Sequence, residues 1–336
     1  LDPRGYPIIY VGQGLQADGD ANGWKDMYFR AFSLIDGSKL MEVGASSADP
    51  FAHRYWQAYD SSPLIDAETD TLIWPGENGI IYTCKLGTNY DAAAGTVTMD
   101  SDPAKVKYRY TSPMNRQREA DKGGRWGIED SAVAWRNYLM FTDNAGLLQC
   151  IDLNTMSLVY ANDLTNDSDV TMILEEDKVG QRVYLYAGCE YDDDVENVEP
   201  GQGTCYAYKI DALTGKILWS VPFTADSSDP NVDGGILASP VLGQEGTTLE
   251  GLVIYNVTKL VKGSSSTSVL VAIDKETGDV VWTYDMGVTG WSCSSPVTVY
   301  STSVDAEGKT IGYLVQCQIG GTIALVRQNT GIITVG

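Results

Sequence analysis

The residues best suited to chemistry are a short oxygen-rich run near the start: Asp18-Gly-Asp20-Ala-Asn22-Gly23-Trp24-Lys25-Asp26. Oxygen side chains stand at its positions 1, 3, 5 and 9, a glycine at 6 permits a sharp turn, and the carbonyl of Trp24 falls at 7. This is the alternation by which a short loop wraps a hard cation, so Asp18, Asp20, Asn22, Trp24 and Asp26 are the expected ligands of a structural calcium ion. Position 12 is Phe29 where an EF-hand needs a bidentate Glu, which excludes that motif. Asp, Asn and Gly also favour turns for reasons unconnected with metal, and that alternative stays open.

Other chemistries are poorly served. The single histidine, His53, has no nucleophile-elbow sequence to work with, and neither C-x-x-C nor H-x-x-x-H occurs. G-x-G-x-x-G is absent as well. Six cysteines are scattered, and their spacing across two expected hairpins points to the cross-strand pairs Cys189–Cys205 and Cys293–Cys317, with buried free thiols as the open alternative and Cys84 and Cys150 free. Seven basic residues crowd into 105–125 (Lys105, Lys107, Arg109, Arg116, Arg118, Lys122 and Arg125), enough to steer an anionic ligand or an acidic surface, or simply to solvate a strand face. The run Tyr191-Asp-Asp-Asp-Val-Glu-Asn-Val-Glu199 reads as a solubilising hairpin tip. Trp24, Trp56, Trp74, Trp126 and Trp291, in or near turns, are the candidates for a sugar platform.

A net charge of -22 repels phosphate backbones and anionic headgroups, so nucleic acid is excluded as a partner. No apolar run is long enough for a membrane-spanning helix, and none inserts from this segment. Glycine (35) and tyrosine (20) are abundant and long amphipathic helices are missing, so the elements positioning these residues are short strands and turns.

Those strands repeat. Ala207-Tyr-Lys-Ile-Asp-Ala-Leu-Thr-Gly-Lys-Ile-Leu-Trp219 and Val271-Ala-Ile-Asp-Lys-Glu-Thr-Gly-Asp-Val-Val-Trp282 are near copies, each a strand, a Thr-Gly turn and a second strand. Weaker copies follow the same frame at Phe32–Met41, Ala94–Met99, Cys150–Tyr160 and Leu325–Val335. The large residue after each turn marks a ladder at Met41, Met99, Tyr160, Trp219, Trp282 and Val335, with steps of 58, 61, 59, 63 and 53 residues. Most repeats open on a Ser-Pro-type strand such as Ser61-Ser-Pro-Leu-Ile or Ser294-Ser-Pro-Val-Thr and hold an apolar strand in the middle, which makes four antiparallel strands per repeat. The fold class expected is all-β: a β-propeller of four-stranded antiparallel blades, six repeats visible at approximately 1–45, 46–112, 113–165, 166–228, 229–286 and 287–336. The whole of 1–336 reads as one propeller domain. The first repeat lacks its opening strand, which suggests a fragment of a longer chain with seven or eight blades in the parent ring.

The Asp-x-x-Thr-Gly-x-x-x-Trp turns at 211–219 and 274–282, with the recurrent Ser-Ser-Pro-Val, resemble the repeat of PQQ-like (quinoprotein alcohol dehydrogenase-like) β-propellers. Ser62–Gly79 and Ile151–Met156 further resemble secreted members from clostridial and other gut-type bacteria. The resemblance implies that Trp219 and Trp282 dock against the following blade. It also implies that a dehydrogenase would cap its quinone with adjacent cysteines, a pair this sequence lacks, so PQQ is not expected. The run at 18–26 is similar to the calcium loops between strands of integrin-type propellers. The expected function is a non-enzymatic, secreted or cell-surface module, extracytoplasmic, that binds a protein or surface polymer on one face of the ring. The alternatives are a calcium-dependent quinoprotein dehydrogenase and a glycan-binding propeller.

Overall fold

The computed structural model describes residues 1–13, 27–45, 50–52, 59–111, 127–191, 201–228, 233–287, 294–317, 323–326 and 332–335. Among these, every regular element is a strand. Five antiparallel groups of four follow one another: 64–108, 133–163, 173–226, 241–285 and 297–335. They are preceded by a three-stranded sheet of Ile8–Gly12, Met27–Ser33 and Lys39–Ala45. Among the described residues, the first repeat is thus the one with three strands. Four-stranded antiparallel sheets repeated along an all-β chain are the blades of a β-propeller, and that is the fold class of this protein. The fourth and fifth blades are joined into one sheet through Ala225, paired with Leu260.

One detail of the expected repeat is corrected. The Ala94–Met99 copy lies at the tip of an extra hairpin, Asn89–Asp91 with Thr96–Thr98, outside the blade. The fourth strand of the second blade is instead Lys105–Tyr108, which pairs with Ile80–Lys85. A strand-turn-strand segment can close on itself wherever its turn chemistry is right, so a local motif does not by itself specify which sheet it joins.

The chain divides into two compact units, Leu1–Ala145 with Gln149–Val159, and Gly146–Leu148 with Tyr160–Gly336. In the first, Trp74 is sandwiched between Phe29 and Tyr82, with ring centroids 5.7 and 5.1 Å away, inside a cluster that includes Ile8, Met41 and Leu72. In the second, Trp282 packs with Leu252 and Leu270 of its own blade and Leu314 and Val326 of the next. Middle strands such as Ile80–Cys84 and Val269–Ile273 are buried along their length because both faces are covered, which is why they read as unbroken apolar runs. Outer strands keep Leu158, Leu218 and Val281 exposed.

The repeat motif has a physical explanation in the second unit. Asp211 Oδ1 accepts from the backbone N–H of Leu213 and Thr214 and from the Thr214 hydroxyl, and Asp274 does the same for Glu276 and Thr277. These carboxylates cap the turn that Gly215 and Gly278 complete at φ 71° and 80°, a region that favours glycine. The large residue of the preceding blade then lies directly on that turn: Tyr160 Oη donates to the Ala212 carbonyl (2.9 Å) and Trp219 Nε1 to the Lys275 carbonyl (3.1 Å). Glycine is required twice over, since a Cβ at Gly215 would meet the Tyr160 ring at 2.5 Å. The docking role expected for Trp219 and Trp282 is realised.

Candidate functional site

The expected calcium loop, Asp18, Asp20, Asn22, Trp24 and Asp26, lies outside the described residues, as do His53, the acidic run after Tyr191, and Cys293. Of the tryptophans considered as a sugar platform, Trp74 is 1% exposed in the middle of a strand, which removes it from any surface. The other four lie outside the described residues.

The disulfide expected between Cys189 and Cys205 is absent, and both are free, buried thiols. The cause is register. Gly188 pairs with Ala207, so the next position, Cys189, stands opposite Tyr206; its amide donates to the Tyr206 carbonyl, and the Tyr206 amide reaches Cys189 Sγ at 3.3 Å. Cys205 is one residue further on and projects from the other face, where its thiol approaches the Phe223 carbonyl. Burial pushes the Cys189 thiol up to about 11 and the Cys84 thiol to about 12, away from the reactive thiolate form. Cys84 and Cys150 are buried and, as expected, in no disulfide, while Cys317, expected to pair with Cys293, is exposed and in none either.

The structure brings together three carboxylates that sequence reasoning did not connect. In the second unit, Asp167, Asp169 and Glu190 each offer an oxygen within 4.8 Å of the others; Asp167 and Glu190 are buried. Asp167 and Asp169 lie on the segment entering the fourth blade. Glu190 follows the strand Arg182–Gly188, pairs with Gly235, and its amide donates to the Asp167 carbonyl (3.0 Å). Convergent oxygens of this kind suit a hard cation, although calcium takes six to eight in all. No spacing rule in the sequence joins these residues; Ser168, which stands between the two aspartates, is buried, and its hydroxyl donates to the Gly188 carbonyl (2.8 Å).

Part of the basic run is described in the first unit. Lys105, Lys107 and Arg109 alternate along the last strand of the second blade and its continuation. Lys105 donates to the Gly44 carbonyl, and Lys107 lies over the Tyr82 ring. The Arg109 guanidinium stacks on Phe51, 4.7 Å from the ring centroid, and donates from Nη1 to the Phe51 carbonyl (3.1 Å). Beside it opens a cleft of about 470 Å³ between residues 107–111 and residues 156–158; Met156 also lines a second cavity of about 290 Å³, with Lys85 and Thr71.

Residues 65–331 match the PQQ_2 family, described as outer membrane protein assembly factor BamB. The chain belongs to this family. The resemblance seen in its turns therefore holds for most of its length. No curated protein sequence matches it. Among solved structures, it is similar to a europium-containing methanol dehydrogenase (11% identity, 93% of this chain and 64% of that one, TM-score 0.53). It is also similar to the quinohemoprotein alcohol dehydrogenase ADHIIG of Pseudomonas putida HK5 (16% identity, 82% and 41%, TM-score 0.52). BamB of Moraxella catarrhalis is matched over 92% of this chain and 68% of its own, with 13% identity and a TM-score of 0.47. At these identities the likeness to the dehydrogenases is one of fold, and the chain spans less than two thirds of either. The described cysteines stand on separate strands or strand ends, so none of them forms an adjacent pair of the kind that caps a quinone.

Proposed function

We propose that this protein is a non-catalytic propeller, secreted or displayed on the cell surface, that acts as a binding or assembly module and carries a structural calcium loop at Asp18–Asp26. The observation that carries this reading is where its ionisable groups are placed. Asp36, Asp66, Asp226 and Asp274 are held below the usual carboxylate range by the serine or threonine groups of the turns they cap. Glu42 is held down by Lys39 and Arg30, and Glu250 by Lys309. Cys84, Cys189 and Cys205, like Tyr10, Tyr108, Tyr186 and Tyr208, are pushed up chiefly by burial. These perturbed groups shape turns and core, whereas an acid–base site poises its groups near neutral pH. The family's description as an assembly factor supports the same reading, since a fold alone hosts many functions.

Dye-linked oxidation assays with the quinone, calcium and a panel of alcohols and sugars test it: no turnover is expected, and turnover would overturn it. Fractionation of the producing cells, with the protein expected in the medium or on the surface, tests the location.

A further inference from the structure

In a chain of net charge -22, a fixed cation without an anionic partner stands out. Elsewhere in the first unit, Arg4 is paired with Asp2 and Asp70, while Arg30 and Lys39 share Glu42. Among the described residues, Arg109 has two contacts, the Phe51 carbonyl and the Phe51 ring, both neutral. Its Nε is buried without a hydrogen-bond partner. Two contacts to one residue hold the guanidinium in place while leaving its charge uncompensated, a pre-organised state for a carboxylate.

The surroundings define what such a carboxylate would be attached to. Arg109 lines the cleft of about 470 Å³, a volume typical of ligand sites, whose opposite wall is Met156 and the 39%-exposed Leu158. Five consecutive residues, 107–111, form the near wall. The strand feeding them, Lys105–Tyr108, ends its sheet: among the described residues it pairs with Ile80–Lys85 alone. A sheet edge is a template for an extended chain, with main-chain hydrogen bonds for affinity and alternate side chains for specificity.

We propose that this cleft docks an extended acidic segment of a partner protein, with a carboxylate on Arg109 and apolar side chains against Met156 and Leu158. The proposal rests on the binding-module reading and names the chemistry of its partner. Lysines on an edge strand also discourage unwanted pairing, and that simpler role predicts no peptide affinity at all.

The experiment is fluorescence anisotropy with a labelled octapeptide alternating Val and Glu, beside its Val-Gln counterpart, on the wild type, Arg109→Ala and Leu158→Asp. Arg109→Ala loosens Phe51, so Leu158→Asp, at an exposed position, supplies an independent variant; both are used only if their melting temperatures match the wild type within error. The Glu peptide is expected to bind. The Gln peptide and each variant should bind about tenfold more weakly or worse, as for loss of one charge-assisted hydrogen bond or gain of a repelling charge. Added salt should weaken binding of the Glu peptide. Absence of binding, equal binding of the Gln peptide, indifference to both variants, or competition by free pentanoate as strong as by the peptide would each overturn the proposal. Quinone-dependent turnover, which overturns the module reading, leaves this titration unaffected, so the two failures are distinguishable.

Discussion

Replacing Gly215 by Ala tests whether the repeat motif holds the blades together by contact or merely shapes a turn. Gly263 provides the reference: it sits at φ 66° with nothing within 4 Å of an added Cβ, so Gly263→Ala measures the conformational cost alone. That cost is about 1–2 kcal/mol for a left-handed L-residue. Gly215 has almost the same backbone, φ 71°, but its Cβ would meet Tyr160 Cδ2 at 2.5 Å, Tyr160 Cε2 at 2.6 Å and Asn162 Nδ2 at 2.6 Å. Those atoms are not free to swing away, because Tyr160 Oη is hydrogen-bonded to the Ala212 carbonyl and the Asn162 amide to the Gly215 carbonyl. Forcing such a contact adds about 1–3 kcal/mol of overpacking. Gly215→Ala should therefore cost about 2–5 kcal/mol, against about 1–2 for Gly263→Ala. In thermal denaturation this separates the variants by roughly 2–12 °C, at 2–4 °C per kcal/mol. Tyr160→Ala should remove much of the extra cost when combined with Gly215→Ala. Equal melting temperatures for Gly215→Ala and Gly263→Ala would refute the contact argument.

Arg4→Met is expected to cost about 3 kcal/mol or more, because it strands the fully buried Asp2 carboxylate; urea denaturation at pH 7 measures it. Burial opposes the charge on Asp2 and Asp70, yet hydrogen bonds from Arg4 and Tyr10 to Asp2, and from Thr88 and Arg4 to Asp70, outweigh it and lower both. A depressed carboxylate stabilises the fold above its unfolded pKa, near 4, and loses that contribution as pH falls through the folded value. Wild-type stability should thus decline below about pH 4 and flatten in Arg4→Met; parallel pH profiles would contradict the pairing. Alkylation of the native protein at pH 8, read by peptide mass spectrometry, should label Cys317 and spare Cys84, Cys150, Cys189 and Cys205 until unfolding, and mild oxidant should not link Cys189 to Cys205. Finding that link would contradict the one-residue register. Calcium should bind the metal-stripped protein on the order of 0.1–1 mM, raise its melting temperature, and do neither with Asp20→Ala; equal heats from the two proteins would dismiss the loop.

What could be read from the amino-acid order alone is what a few neighbouring residues decide among themselves. Asp211 and Asp274 cap turns formed by residues two and three places on, and Gly215 and Gly278 supply the φ that those turns demand, so the period and the propeller class follow from short-range chemistry. Buried middle strands announce themselves as apolar runs because both faces are covered. The tertiary structure decided matters that depend on the registration of segments distant in the chain. Whether Cys189 faces Cys205 turns on a single-residue offset, which reverses the face of every side chain. The hairpin at 89–98 has the right local form, yet Lys105–Tyr108 takes the place beside Ile80–Lys85, since sheet membership is settled by packing and not by the turn. Asp167, Asp169 and Glu190 converge, and Arg109 meets Phe51, 58 positions away in the chain, with no spacing rule to announce either. Side chains brought together by long loop closure leave no periodic trace in sequence, because the free energy that joins them comes from the packed blades and not from the residues between.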